Sequence, residues 1–318
     1  ILVREMLYWP FTLWGLVEVA RRGPFDLIHC NEITALLPAL VAKRLFRVPL
    51  IVHVRSLQRQ SSSGVVSIFL QRVLRERVDF VIAIDDAVRR TLPVDVSVEI
   101  IHNGITAPRD ILRRASATPF RVGIIGVLHR DKGVYELIDA ARILKDRAVN
   151  VKIVVVGENL RRLRGVFGWL LRKLDFARDV RGELEAKVAA YGLADIVEFT
   201  GFIDDVSAIY GRIDAVCFPS RLDAPGRPVF EAALYGLPAI VAMRNPTTDV
   251  VLHKRTGICI DEPTPTAIAD AIEMLAANLG LSRKMGEEAR GFALPRFASQ
   301  VSAEKTLAVY RRVCKSNT

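Results

Sequence analysis

The chain has 318 residues, which predicts two domains, each large enough for its own core. Hydrophobic residues make up 51% and mean hydropathy is +0.25, yet no run of about 18 apolar residues is uninterrupted, which speaks against a transmembrane helix. Cys30, Cys217, Cys259 and Cys314 lie far apart with no C-x-x-C spacing, against a zinc site or a disulfide framework and in keeping with a reducing cytosol, while a net charge of +10 admits nucleic acid, an anionic membrane surface or an anionic small substrate.

In chain order, the first apolar run is Met6 to Ala20. It contains Pro10 and Glu18 and ends in Arg21-Arg22, without the basic start and small-residue cleavage site of a signal peptide. The sequence begins at Ile1 in what reads as the middle of a helix, so the expectation is a chain lacking its true start. Asp26–Cys30 reads as a buried strand, Ala35–Phe46 as a helix and Leu50–Val54 as the next strand. Phe69–Arg77 reads as a helix and Phe80–Ile84 as a strand, after which Asp85 and Asp86 can cap a helix. Val98–Ile101 closes this half. Alternation of this kind predicts a parallel sheet with helices on both faces.

Residues 103–119, with Asn-Gly, two prolines and a Ser/Thr-rich end, read as a turn and linker. The alternation then restarts, with strands predicted at Arg121–Ile125, Val151–Val156, Ile196–Thr200, Ala215–Phe218, Ala239–Ala242 and Gly257–Ile260. Residues 161–182 read as an insertion before a helix near Glu183–Tyr191. It holds seven Arg or Lys residues with Val166, Phe167 and Trp169, which reads either as a segment touching anionic lipid or as a self-packed surface excursion.

Two stretches carry chemistry. The first is SRLDAPGRPVFEAALYGLP, residues 220–238. It follows a strand end, where open parallel sheets bind ligands. Pro228 suits a first helical position, while Gly236 and Pro238 suit a helix end, predicting a short helix from Pro228 to Tyr235. The start of such a helix offers free N–H groups and the positive dipole end to phosphate. Glu231, one turn in, can accept from two neighbouring sugar hydroxyls, and Asp223 precedes the helix. Two carboxylates flanking a phosphate site fit a nucleotide-sugar; the alternative is an ordinary helix capped by Asp223. The second stretch is VGIIGVLHRDKG, residues 122–133, where Gly126 permits close backbone approach and Arg130 and Lys132 offer charge to a diphosphate. Neither G-x-G-x-x-G nor a P-loop is present.

In order and separation these stretches resemble the retaining glycosyltransferase family four, of GT-B fold. The likeness covers most of the chain through Asp26-Leu-Ile-His29, Val48-Pro-Leu-Ile-Val-His53, Asn103-Gly104-Ile105, Lys132-Gly133, Val154-Val-Val-Gly157 and Phe199-Thr-Gly-Phe202. It continues through Pro219-Ser220, Asp223 with seven residues before Glu231, and Gly236-Leu-Pro238. The resemblance implies an α/β protein of two Rossmann-like domains facing across a cleft. An acceptor-side domain would span 1–115 and a donor domain 116–295, with 296–318 as a helix returning to the first. It implies a metal-independent transfer with retention, the nucleotide-sugar (UDP or GDP) being a substrate, so that neither cofactor nor metal is expected.

Lys132 would contact the diphosphate, Glu231 the ribose, and Asp223 with backbone from Ala224, Pro225, Gly226 and Arg227 the transferred sugar. Gly126, Arg130, Gly157 and Phe202 complete the donor set. On the acceptor side Arg55 holds the aligned catalytic position, with His53 as second choice. The chain departs from the family in having Asp at 223 rather than Glu, and Val127 in place of a frequent Arg. The implied role is a sugar transfer to a lipid-linked or saccharide acceptor in envelope polysaccharide or lipopolysaccharide assembly, in the cytoplasm or at the inner face of the membrane. A sugar-nucleotide epimerase of the same fold and a non-catalytic nucleotide-sugar-binding module are the alternatives. Nucleic acid is not expected, because the basic residues are spread out and no nucleic-acid motif is present.

Overall fold

The computed structural model describes residues 2–58, 65–109, 118–159, 179–222, 225–244 and 247–315. Asp223, Ala224 and most of the predicted insertion lie outside them. In chain order the elements are α1 (Leu2–Ala20), β1 (Ile28–Cys30), α2 (Leu36–Phe46), β2 (Leu50–Val54), α3 (Val65–Glu76), β3 (Phe80–Ala83), α4 (Asp86–Arg90) and β4 (Val98–Ile100). Then come β5 (Phe120–Ile125), α5 (Val134–Asp146), β6 (Val151–Val156), α6 (Val180–Ala190), β7 (Val197–Gly201), α7 (Ser207–Tyr210) and β8 (Ala215–Phe218). The chain continues through α8 (Arg227–Leu234), β9 (Ala239–Ala242), β10 (Gly257–Ile260), α9 (Pro265–Ala277), α10 (Leu279–Phe297) and α11 (Ser299–Lys315). Short 3-10 turns at Ile33–Ala35 and Arg130–Lys132 precede α2 and α5. The chain divides into two units, Ile1–Gly104 with Ser299–Thr318, and Ile105–Ala298.

The first unit holds a parallel sheet ordered β1-β2-β3-β4. Strand side chains alternate between faces, so β2 serves two cores. Leu50, Val52 and Val54 pack with Val81, Ala83, Leu36, Ala39, Val73 and Leu74. Ile51 faces the other way, joining Ile82, Ile101 and the α11 side chains Val309 and Val313. His53 shares the Ile51 face by the same alternation. Asp85 caps α4, its side chain accepting from the Val88 N–H at 2.7 Å. Where Phe69 was the expected start, α3 begins at Val65, since helical dihedrals are open to any residue that does not break them and no breaker lies between.

The second unit holds a parallel sheet ordered β10-β9-β8-β5-β6-β7. One face packs Val122, Ile124, Ile153, Val155 and Cys217 under α5, α6 and α9, with Leu137, Leu184 and Ile272 fully buried. Each such side chain contributes about 1.5–3 kcal/mol of burial. The opposite face packs Ile125, Val154, Val156 and Val216 against Ile209, Tyr210, Ala232 and Leu237. A third cluster joins Phe218, Val229, Phe230 and Val241 to Ala293 and Phe297 of α10. Counted within this unit, the strands follow the 3-2-1-4-5-6 order of a doubly wound sheet. The order reverses between β5 and β8, so the loops after these two strands leave the sheet side by side, at the point where such sheets bind ligands.

Candidate functional site

The loop after β5 and the loop after β8 are joined by their own backbones. The Asp131 carbonyl accepts from the Arg221 N–H at 2.8 Å and from the Ser220 hydroxyl at 3.1 Å. Gly133 turns the chain into α5 at φ 72°, and a Cβ there would overlap the Pro219 carbonyl. The 3-10 turn just before Gly133 carries Lys132, whose Nζ lies 4.9 Å from the centre of the Phe218 ring. Gly226 also lies against that ring: a Cβ there would overlap it. Phe218 is therefore the shared floor beneath Lys132 and the start of α8, 94 residues apart in sequence (226 − 132).

Helix α8 begins one residue earlier than expected, at Arg227, with Gly226 as N-cap and Pro228 in the first turn. Gly226 has no capping side chain, so the first N–H groups of α8 receive no side-chain bond from their N-cap residue. Tyr235 caps the other end and Gly236 follows at φ 71°. Glu231 lies one turn in and is only 8% exposed. Its two oxygens are engaged separately. The Tyr210 hydroxyl donates to Oε2 at 2.6 Å, and Arg227 Nε donates to Oε1 at 2.7 Å. Tyr210 is 2% exposed and stacks on Tyr235 with ring centres 4.7 Å apart. Burial, and then the Glu231 charge, push its hydroxyl pKa up, which keeps it a proton donor to the carboxylate.

Among the predicted donor residues, the structure brings Lys132, Gly226, Arg227 and Glu231 to one place. Gly126 and Gly157 also meet, since a Cβ at Gly157 would overlap the Gly126 carbonyl. Pro225 is half-buried just ahead of α8. Arg130 instead sends its guanidinium to the Tyr135 ring, 6.0 Å from its centre, and Phe202 stands 65% exposed just beyond β7. Asp223 and Ala224 lie outside the described residues. Sequence reasoning missed Tyr210, which lies 21 residues from Glu231 on another element with no motif to mark it. The Arg227–Glu231 pair was missed as well, although its i,i+4 spacing is a signal that could have found it.

In the first unit, Arg55 follows the end of β2 and is exposed, while His53 is 5% exposed. Both line a cavity of about 410 Å³ with His29, His102, Asn103 and Tyr310. Arg55 Nε donates to Asn31 Oδ1 at 2.7 Å and Nη1 to Asn103 Oδ1 at 2.6 Å. Both partners are neutral amides, so the guanidinium is fixed without being neutralised. The Tyr310 hydroxyl pairs with His29 Nδ1 at 2.7 Å. The His29 and His53 rings meet edge to face with centres 5.4 Å apart, and His53 Nε2 is buried without a partner. Burial first, then Arg55 and His29, bring the His53 pKa down to about 3, so its ring is neutral at neutral pH.

A second cavity, of about 700 Å³, lies in the other unit beside Arg221, Arg244, Asp261 and Thr264. Its arginines are already engaged, Arg221 with Glu136 and Arg244 with Glu262. Among the described residues, no three His, Cys, Asp or Glu side chains are grouped to hold a metal ion. No described helix is long and apolar enough to cross a membrane.

A family model described as glycosyl transferases group 1 matches residues 111–292, and one described as a glycosyl transferase 4-like domain matches residues 3–104. The crystal structure of Anabaena Alr3699/HepE in complex with UDP superposes with a TM-score of 0.78 at 21% identity, covering 95% of this chain and 82% of that one. The capsular polysaccharide biosynthesis glycosyltransferase CapM of Staphylococcus aureus is 23% identical over 198 residues, 62% of this chain and 47% of CapM. A GDP-mannose-dependent alpha-(1-6)-phosphatidylinositol dimannoside mannosyltransferase of Mycobacterium tuberculosis is 28% identical over 192 residues, 59% of this chain and 43% of the relative. These two alignments thus span a little under half the length of either relative.

Proposed function

The chain belongs to the glycosyl transferases group 1 family and has the GT-B fold, and from that premise we propose that it moves a sugar from a UDP- or GDP-sugar to a lipid-linked or saccharide acceptor with retention of configuration. The observation that carries this reading is the convergence at the β5/β8 switch point. Lys132 and the start of α8 share the Phe218 ring, and the Glu231 carboxylate stands one turn inside. Lys132 and the α8 N–H groups stabilise the negative charge that grows on the leaving diphosphate. Glu231 takes the ribose hydroxyls. Asp223 with the backbone from Ala224 to Arg227 holds the transferred sugar, which passes through an oxocarbenium-like transition state. These protein groups supply the positive charge, so the transfer runs without metal.

In the first unit Arg55 is the acceptor-side candidate. Its guanidinium is exposed and fixed by two neutral amides, whereas His53 is buried beside it. The relatives support the acceptor class, one being named for capsular polysaccharide biosynthesis and another for a phosphatidylinositol dimannoside. With a net charge of +10, a cytoplasmic enzyme working at an anionic inner membrane face fits that class.

The test is turnover. The chain is incubated with UDP- and GDP-sugars and with saccharide and lipid-linked acceptors, in EDTA, and released UDP or GDP and the anomeric configuration of the product are read. The expected result is acceptor-dependent release from one donor class with retention, lost in Lys132→Ala. Inversion, or isomerised free sugar without an acceptor, would contradict it.

A further inference from the structure

The Glu231 carboxylate that this reading assigns to the ribose is already engaged on both oxygens, by two groups of opposite character. Tyr210 is 2% exposed, stacked on Tyr235, and cannot leave. The Arg227 side chain is 75% exposed, so solvent rather than packing surrounds most of it. Its ion pair with Glu231 joins an exposed guanidinium to a buried carboxylate, so the arginine can leave at low cost only when another donor takes over Oε1. Arg227 also stands in the first turn of α8, where the positive end of the helix dipole opposes its charge. A cation at that position is poorly placed for helix stability and well placed for an anion.

Resting on the donor-site reading above, we infer that Arg227 is a diphosphate-operated latch on the ribose carboxylate: it holds Glu231 Oε1 in the empty site and moves to the diphosphate when a nucleotide arrives. The hydrogen bonds balance across this exchange. In the empty state Oε1 accepts from Arg227 and Oε2 from Tyr210. In the loaded state Oε1 accepts from a ribose hydroxyl, Oε2 keeps Tyr210, and Arg227 donates to phosphate oxygen. Tyr210 is then the positioning residue that keeps the carboxylate aimed while its other partner leaves. The consequence is selectivity. A nucleoside without phosphates must displace Arg227 with nothing to receive it. A nucleoside diphosphate supplies the receiving charge, so phosphate and ribose recognition become coupled.

The experiment compares UDP with uridine, and GDP with guanosine, on the whole chain and on Arg227→Ala. Calorimetric titration is used, with displacement for the weaker ligands, and folding is checked by thermal melting. The latch predicts that Arg227→Ala weakens the diphosphate by about tenfold, the value of one charge-assisted bond. The nucleoside should bind no worse, or several-fold better. Tyr210→Phe should weaken nucleoside and diphosphate by the same factor, because it acts on the ribose carboxylate in both. Equal losses of both ligands in Arg227→Ala would make the arginine a fixed strut for Glu231, and no change in either would make it a bystander; each result overturns the latch while leaving the donor site standing. If the unmodified chain binds neither UDP nor GDP, the donor-site reading falls and the latch with it.

Discussion

The Tyr210 hydroxyl meets the buried Glu231 carboxylate at 2.6 Å, inside a sheet face packed mainly by aliphatic side chains. Tyr210→Phe leaves one oxygen of that carboxylate short of a bond in a poorly solvated place, which costs about 1–3 kcal/mol. Hydrogen exchange of the α8 amides should speed up by the matching factor; unchanged protection would mean that the carboxylate finds another donor. His53 gives a prediction of a different kind. Its ordinary value of 6.5 falls to about 3 in the folded chain, so over that range the unfolded state binds the extra proton. The stability tied to this ring is therefore complete above pH 6.5 and is lost on acidification towards pH 3, at up to about 1.4 kcal/mol per pH unit. His53→Asn should flatten the acid side of the first unit's stability profile, and an unaltered profile would contradict the assignment. At this scale, the sequence marked Lys132, Gly226 and Glu231, whose type and spacing suggested a phosphate site, and the fold brings these three together. Tyr210 was not, because its contact with Glu231 is made by folding and leaves no periodicity behind.

Elements were more readable than contacts. Helix α8 was marked at both ends by residues with a stereochemical reason to be there, Pro228 in its first turn and Gly236 beyond its last. The strands were marked by β-branched runs too short for helices. The order of those strands was not legible: nothing in a strand records which neighbour it will take, so the β5/β8 switch point came only with the fold. Two substitutions test this level. Gly226→Val puts a branched side chain into the Phe218 ring and should abolish nucleotide binding through the floor of the site; full binding would show that Phe218 moves aside. Ile82→Ala opens a cavity where the first sheet meets Val309 and Val313 of α11, at a cost of about 2–5 kcal/mol. Exchange protection should then fall together in β2, β3 and α11, and retained protection in α11 would contradict the packing.

At the scale of the whole molecule, the proposed function asks two parallel-sheet units and a strongly basic balance to serve one donor and one acceptor. If the acceptor is presented on an anionic surface, the net charge of +10 should give sedimentation with phosphatidylglycerol vesicles in low salt that is lost as salt is raised past about 0.5 M, where screening is short-ranged. Indifference to both lipid charge and salt would remove the membrane from the account and leave a saccharide acceptor. The central claim is the place and polarity of the donor, and a crystal structure of this chain soaked with UDP or GDP addresses it most directly. The account predicts the diphosphate between Lys132 and the first turn of α8, with the ribose hydroxyls on Glu231. A nucleotide seated instead in the Arg221–Arg244 cavity or against Arg55, with Glu231 still closed by Arg227, would contradict it.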